Sequence, residues 1–286
     1  MLKGSLGINK IEIKYIIIIS GIIILSVYSY KNIFIWMYGR FIADDSYYSH
    51  GFLVPFVSAY LVWNKREELQ NIREDHSWFG FAVILIALLI HVISTMFFVF
   101  FPSGISLVLL IFGIALFCNG WLYVREIFYP ILFLFFMIPI PMDGINKIAV
   151  PLKMFVAWIS TSIMNLLDIA VFRTGFIIET AKGNLLVDNP CSGLRSLISF
   201  LAIGFLMAII SNCSKRNKIF IFSMAFPIAI ITNVLRVSFL ILVVNYYGPS
   251  MAYQNSLPHD ISGYVVFLLG GLLFYYVGKY FDKQNK

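Results

Sequence analysis

Residues 79–100 read FGFAVILIALLIHVISTMFFVF, with a single histidine and no charged side chain. A stretch of this length matches the roughly 20 residues of helix that cross a hydrocarbon core. In lipid, every backbone polar group must be satisfied within its own segment or by a closed barrel, so a chain carrying several such stretches is committed to a helical bundle. Further apolar stretches lie near 13–30, 50–63, 104–124, 126–140, 192–211, 218–246 and 261–281. Only 12% of the 286 residues are charged and 60% are hydrophobic, against about 25% charged in soluble domains. The expected fold is an all-α polytopic membrane protein, with about eight transmembrane helices in a single integral-membrane domain over 1–286. The N-terminal apolar run is long and no small-residue cleavage site follows it, so it reads as a retained first span and not a removed signal peptide.

One segment is ambiguous. Residues 149–170 are apolar but interrupted by Lys153, Trp158, Ser160, Asn165 and Asp168. Basic residues gather in cytoplasmic loops, and that rule decides. The clusters are Lys3, Lys10 and Lys14; Lys65, Arg66 and Arg73; Arg125, in the expected turn between the fourth and fifth spans; Lys215, Arg216 and Lys218; and Lys279, Lys283 and Lys286. All five fall on the cytoplasmic side if 149–170 lies flat as an amphipathic helix in the outer interface. Both termini are then cytoplasmic. The net charge of +7 reflects these loops, and no basic, aromatic-interleaved segment points to nucleic acid. Between that helix and the next span, 173–190 carries two short apolar runs around ETAKGN, which predicts a small outer hairpin or loop packed over Cys191, with Gly183 at its tip.

This topology brings distant residues to one outer face. Cys191 opens the sixth span. Arg236 comes 18 residues after Lys218, about 27 Å of helical rise and so close to the far side of the core. His259 lies in the loop before the last span, and His50 opens the second. A thiol attacks carbonyls as its thiolate, a histidine takes its proton, and an arginine steadies the thiolate or the oxyanion that forms. A helix N-terminus at Cys191 favours the thiolate further. Gly193 permits close backbone approach by a substrate, and Arg195, at i+4 from Cys191, is expected on the same helix face one turn deeper. Asn233, three residues before Arg236, is placed to orient it. Asp260 is placed to orient His259 as an acid orients a base in a triad, although adjacent residues seldom face each other. Of the three cysteines, Cys118 and Cys213 fall near the cytoplasmic side, which leaves Cys191 without a disulfide partner. No CxxC or Cys/His cluster suits a metal, and no cofactor is expected.

The blocks NPCSGLRSL, NVLRV and LPHDISG resemble the three active-site blocks of the exosortase/archaeosortase family. YSHGFLVPFVSAYLVW and YPILFLFFMIPIP resemble its N-terminal half. The five blocks occur in order from about 48 to 263. The resemblance implies a multispanning cysteine protease/transpeptidase acting like a sortase. Its partners would be exported proteins ending in a tripartite tail of the PEP-CTERM kind: a short motif, a transmembrane helix and a basic cluster. Cleavage would pass through a Cys thioester, which an acceptor nucleophile of unidentified nature resolves. By motif, Cys191 matches the family's nucleophile, Arg236 its arginine and His259 its histidine, and a histidine in the third block points to the exosortase branch.

Each residue also has a bland reading. A helix-start cysteine packs, Arg236 or Arg195 snorkels to headgroups, His259 caps a loop beside Pro258, and His50 is structural. Two other classes stay open: a transporter with an intramembrane Arg/His site, and a lipid-phosphate enzyme whose arginines hold phosphate. Neither explains a lone outer cysteine.

Overall fold

The computed structural model describes residues 25–43, 46–73, 75–187, 193–253 and 256–283. The expected span at 13–30 therefore lies mostly outside the described residues, and so does Cys191. Helix α1 (Lys31–Ile42) is followed by a 3-10 turn, Ser49–Phe52, that carries His50 into α2 (Val54–Asn64). A short α3 (Arg66–Gln70) precedes α4 (Trp78–Met96) and α5 (Phe100–Phe133), which a 3-10 turn extends to Met137. Then come α6 (Met142–Leu166), the strands β1 (Phe172–Thr174), β2 (Ile177–Thr180) and β3 (Gly183–Leu186), and α7 (Leu194–Ile210). Helices α8 (Lys215–Ser223), α9 (Ala225–Tyr247) and α10 (Leu257–Lys283) complete the chain.

Among the described residues, five segments are long and apolar enough to cross a membrane: Trp78–Met96, Phe100–Met137, Met142–Leu166, Lys215–Tyr247 and Pro249–Phe281. The second of these is folded back on itself. At Gly120 the backbone turns to φ 77° and ψ −176°, a region open to glycine at little cost. Phe112 and Phe128 then stack edge to face with centroids 6.4 Å apart, where a straight helix would separate them by about 24 Å. A Cβ on Gly104 would come within 2.7 Å of Ile138, so the arms stay together to their open end. This agrees with two spans near 104–124 and 126–140. It corrects the position of the turn, which is made by Gly120 against Asp75 while Arg125 sits inside the second arm. A glycine was needed because a Cβ there would stand 2.9 Å from that of Asp75.

By length and hydropathy α6 also qualifies as a span. It lies along α9, where the Ser160 hydroxyl donates to the Val234 carbonyl at 3.3 Å. The flat outer position that charge assigns to 149–170 is a statement about orientation.

Between helices in lipid there is no hydrophobic driving force, so close packing through small residues matters more. A Cβ on Gly80 would meet the Phe117 backbone nitrogen at 2.4 Å, and one on Gly113 would meet Ile84 at 2.9 Å. These two glycines let α4 and α5 touch backbone to backbone. Between α7 and α10 the Phe200 ring fills the notch at Gly270, and the Phe274 ring faces Gly204. Phe200 and Phe274 are fully buried as a result. The apolar side chains that remain exposed, such as Leu85, Ile86 and Leu89 on α4, form faces suited to lipid.

The expected hairpin is present and gains a third strand, giving an antiparallel sheet in the order β1-β2-β3. Its tip is Ala181–Lys182, because Gly183 already pairs with Thr180. The sheet sits on the C-terminal end of α9. Ile178 and Val187 are buried in the same cluster as Val237 and Ile241, and Lys182 Nζ donates to the Tyr246 carbonyl at 2.6 Å. Whether it covers Cys191 is a question that falls outside the described residues.

Candidate active site

The last helix begins at Leu257, earlier than hydropathy implies, so His259 belongs to its first turn and not to a loop. Pro258 is tolerated there because the first helical N–H groups have no intrahelical partner to lose. His259 is buried, and Asn233 and Ser262 around it are buried as well. On α9, Arg236 reaches across to this turn. Its Nε donates to Ser262 Oγ at 3.2 Å, and its Nη2 lies 3.2 Å from His259 Nε2 and donates to the His259 carbonyl at 3.4 Å. Ser262 Oγ donates in turn to the same carbonyl at 2.6 Å, which leaves its lone pairs for Arg236. On the far side of the ring, Asp260 Oδ1 lies 3.0 Å from His259 Nδ1. The result is a row of carboxylate, imidazole and guanidinium shared between two helices.

Ser262 was not among the sequence candidates. It is three residues after His259, one helical turn along, and that spacing was a usable signal once 257–263 is known to be helical. Asp260 faces His259 despite being its neighbour. Side chains on a helix lean toward its N-terminus. In the first turn there is no preceding turn in the way, so both side chains lean off the helix end and meet.

Gly193 adopts φ +79° and caps α7. A Cβ there would stand 2.6 Å from Asn233 Nδ2. The close approach that glycine permits is used on this side by Asn233. Asn233 thus packs against the start of α7 from α9, one turn before Arg236. Helix α7 starts at Leu194, after the left-handed Gly193, and the expected i+4 relation of Cys191 and Arg195 lies outside the described residues. The two described cysteines, Cys118 and Cys213, form no disulfide with each other. Among the described residues, no group of acids, histidines and cysteines is arranged to hold a metal.

His50 and Arg195 join at a different place. They line a cavity of about 600 Å³ between α7, α10 and the 3-10 turn before α2, with Ser199, Tyr264 and Phe267. His50 Nδ1 lies 3.3 Å from Ser199 Oγ. Polar groups stand at one end of the cavity. From Arg195 down α7 to Leu206, which also lines it, is about 16 Å of rise. Tyr264, which lines the cavity from α10, is the neighbour in sequence of Gly263, where a Cβ would stand 3.6 Å from Arg236 Nη2. At the opposite end of α2, Lys65 Nζ and Glu126 Oε2 form an ion pair at 2.7 Å. The basic loop and the polar site thus occupy opposite ends of this part of the bundle.

The family described as Transmembrane exosortase (Exosortase_EpsH) matches residues 41–276, which include every block and every polar contact just described. The chain belongs to the transmembrane exosortase family. No curated protein and no solved structure gave a significant match. Family membership and the helical bundle together make the chain a multi-pass membrane protein. Exosortases are, in general terms, membrane-embedded sorting proteases or transpeptidases that act on exported proteins bearing sorting signals. The matched span runs past α9 and through most of α10, so Arg236, His259, Asp260 and Ser262 are all inside the exosortase region.

Proposed function

We propose that this exosortase is a thiol protease/transpeptidase in which Cys191 attacks the sorting signal of an exported protein at the outer face of the cytoplasmic membrane. The observation that carries this reading is the Arg236–His259 contact: the two residues matched by motif from separate helices meet at 3.2 Å in a buried site. Cys191 stands two residues before Gly193, and two residues of chain span at most about 7 Å. Gly193 itself packs on α9 one turn from Arg236.

The thiol gives its proton to His259, and the thiolate adds to the scissile carbonyl. Arg236 stabilises the oxyanion. The C–N bond breaks as the imidazolium returns the proton to the leaving amine, and a thioester remains on Cys191. An acceptor nucleophile then releases the exported protein. The substrate is a C-terminal tail of the PEP-CTERM kind, with its helix lying along the cavity between α7 and α10. Its basic cluster stays cytoplasmic.

The intermediate is the direct test. A tailed substrate incubated with the protein and quenched in acid should leave the mass of the protein part of the substrate on Cys191, releasable by hydroxylamine. Turnover without any mass on Cys191 would count against the thioester. Orientation is tested separately in a background lacking the native cysteines. In intact cells an impermeant maleimide should label Ser256→Cys and spare Lys215→Cys, as the basic clusters require. The reverse pattern would overturn the outer-face assignment.

A further inference from the structure

Asp260 has no task in the chemistry above, yet it closes the row that begins with Arg236. A guanidinium stays protonated and carries donors only. Arg236 Nη2, 3.2 Å from His259 Nε2, must therefore donate, and Nε2 must accept. A neutral imidazole carries one ring proton. With Nε2 accepting, that proton sits on Nδ1, 3.0 Å from Asp260 Oδ1. We infer that Asp260 is a positioning residue: its carboxylate holds His259 as the Nδ1–H tautomer, keeps the Nε2 lone pair ready, and steadies the imidazolium once Nε2 takes the Cys191 proton. This rests on the reading of Cys191 as the nucleophile.

A second consequence follows from the same donors and acceptors. Nε2 has one lone pair, so the Cys191 proton reaches it only as Arg236 Nη2 gives way; once the S–H bond breaks and the Nε2–H bond forms, Nε2 no longer accepts. Two donors and two positive charges then face each other, and Arg236 Nη2 leaves the ring. Its Nε remains tied to Ser262 Oγ, 3.2 Å away. The guanidinium is thus released at the moment negative charge appears on sulfur and then on the oxyanion. Ser262 acts as the pivot and Asp260 as the counter-charge that keeps the imidazolium in place. Among the described residues, the charged groups facing this end of α10 are Arg236 from α9 and Arg195 from α7, which lines the neighbouring cavity with Tyr264. The 3-10 turn Pro249–Ala252 brings none. Both arginines stay charged across the working range, so the pH response belongs to Cys191 and His259 as a coupled pair.

The test needs no substrate. With Cys118 and Cys213 replaced by serine, alkylation of Cys191 by iodoacetamide is followed against pH. Removing the carboxylate disfavours the imidazolium, so less of the neutral thiol–imidazole pair converts to thiolate–imidazolium, and reactive thiolate should appear only at higher pH, where the thiol ionises beside a neutral imidazole. Asp260→Asn and Asp260→Ala should move the profile up by about one pH unit, which is about tenfold in rate near pH 7. Asp260→Glu should restore most of it. Profiles for Asp260→Asn and Asp260→Ala that superimpose on the parent, while His259→Ala is displaced, would overturn the role of Asp260 and leave the nucleophile reading standing. Profiles unmoved by His259→Ala and Arg236→Ala as well would overturn both. Independently, ¹⁵N resonances of the unmutated site, assigned through His259→Gln, should show a protonated Nδ1 and a bare Nε2. The opposite neutral tautomer would overturn the inference without any change at Asp260.

Discussion

Cys191→Ala should abolish removal of the tail from a tailed reporter, with unprocessed protein accumulating in the membrane. Losing the nucleophile of a covalent mechanism costs on the order of 10⁶ in rate, because no other group supplies the bond. Arg236→Ala should follow at about 10²–10³, the range for one oxyanion donor. His259→Ala should cost about 10²–10⁴, the range for general acid–base catalysis. Arg236→Lys is the informative variant. The guanidinium reaches Ser262 Oγ through Nε while Nη2 meets the imidazole. A lysine offers a single ammonium, which cannot hold both contacts in that geometry, so the charge alone should rescue poorly. The measurement is the fraction of reporter retaining its tail, by mass or mobility, at matched enzyme levels in the membrane. Ordinary processing by a stably inserted Cys191→Ala protein would end the thiol mechanism.

The second large effect concerns depth. The cavity takes in Arg195 at its polar end and runs about 16 Å along α7 to Leu206, as helical rise requires. A substrate helix lying there, with its basic tail held at the cytoplasmic surface, presents its motif at a height set by its own length. Each added residue raises the motif by about 1.5 Å, and a misplacement of about 1 Å can cost on the order of 10²-fold. Tilting absorbs a residue or two. Inserting four residues into the substrate helix should therefore reduce processing by at least about 10²-fold, while one residue should have a small effect. Undiminished cleavage of the four-residue insertion would remove the depth-gauge model and leave the catalytic set untouched.

The two halves of the site were unequally visible in the chain. Arg236 and His259 were singled out by motif and by the face they were expected to share, and they meet. For Asp260 the sequence argues both ways: adjacent residues seldom face each other within a helix, but in a helix's first turn they can, as His259 and Asp260 do. For Ser262 the one-turn spacing from His259 carries meaning only when 257–263 is helical, and hydropathy starts the last span at 261. His50 and Arg195, expected as supporting residues on the same outer face, line the neighbouring cavity.

The sequence alone determined that this chain is a membrane bundle, roughly where its apolar segments lie, and which family it resembles. Those are local properties: transfer of a segment into lipid depends on its own length and polarity, and motif blocks are runs of neighbours. The tertiary structure decided where the fourth apolar segment turns, at Gly120 and not Arg125. It also decided that Gly193 makes room for Asn233, and that Arg236 is held by Ser262 while His259 stands between it and Asp260. Each of these depends on how helices far apart in sequence are rotated and tilted against one another. In lipid that is set by close packing and side-chain hydrogen bonds, which hydropathy does not encode. A glycine, a serine and an aspartate look alike along the chain wherever they fall, and only the facing helix gives each its partner.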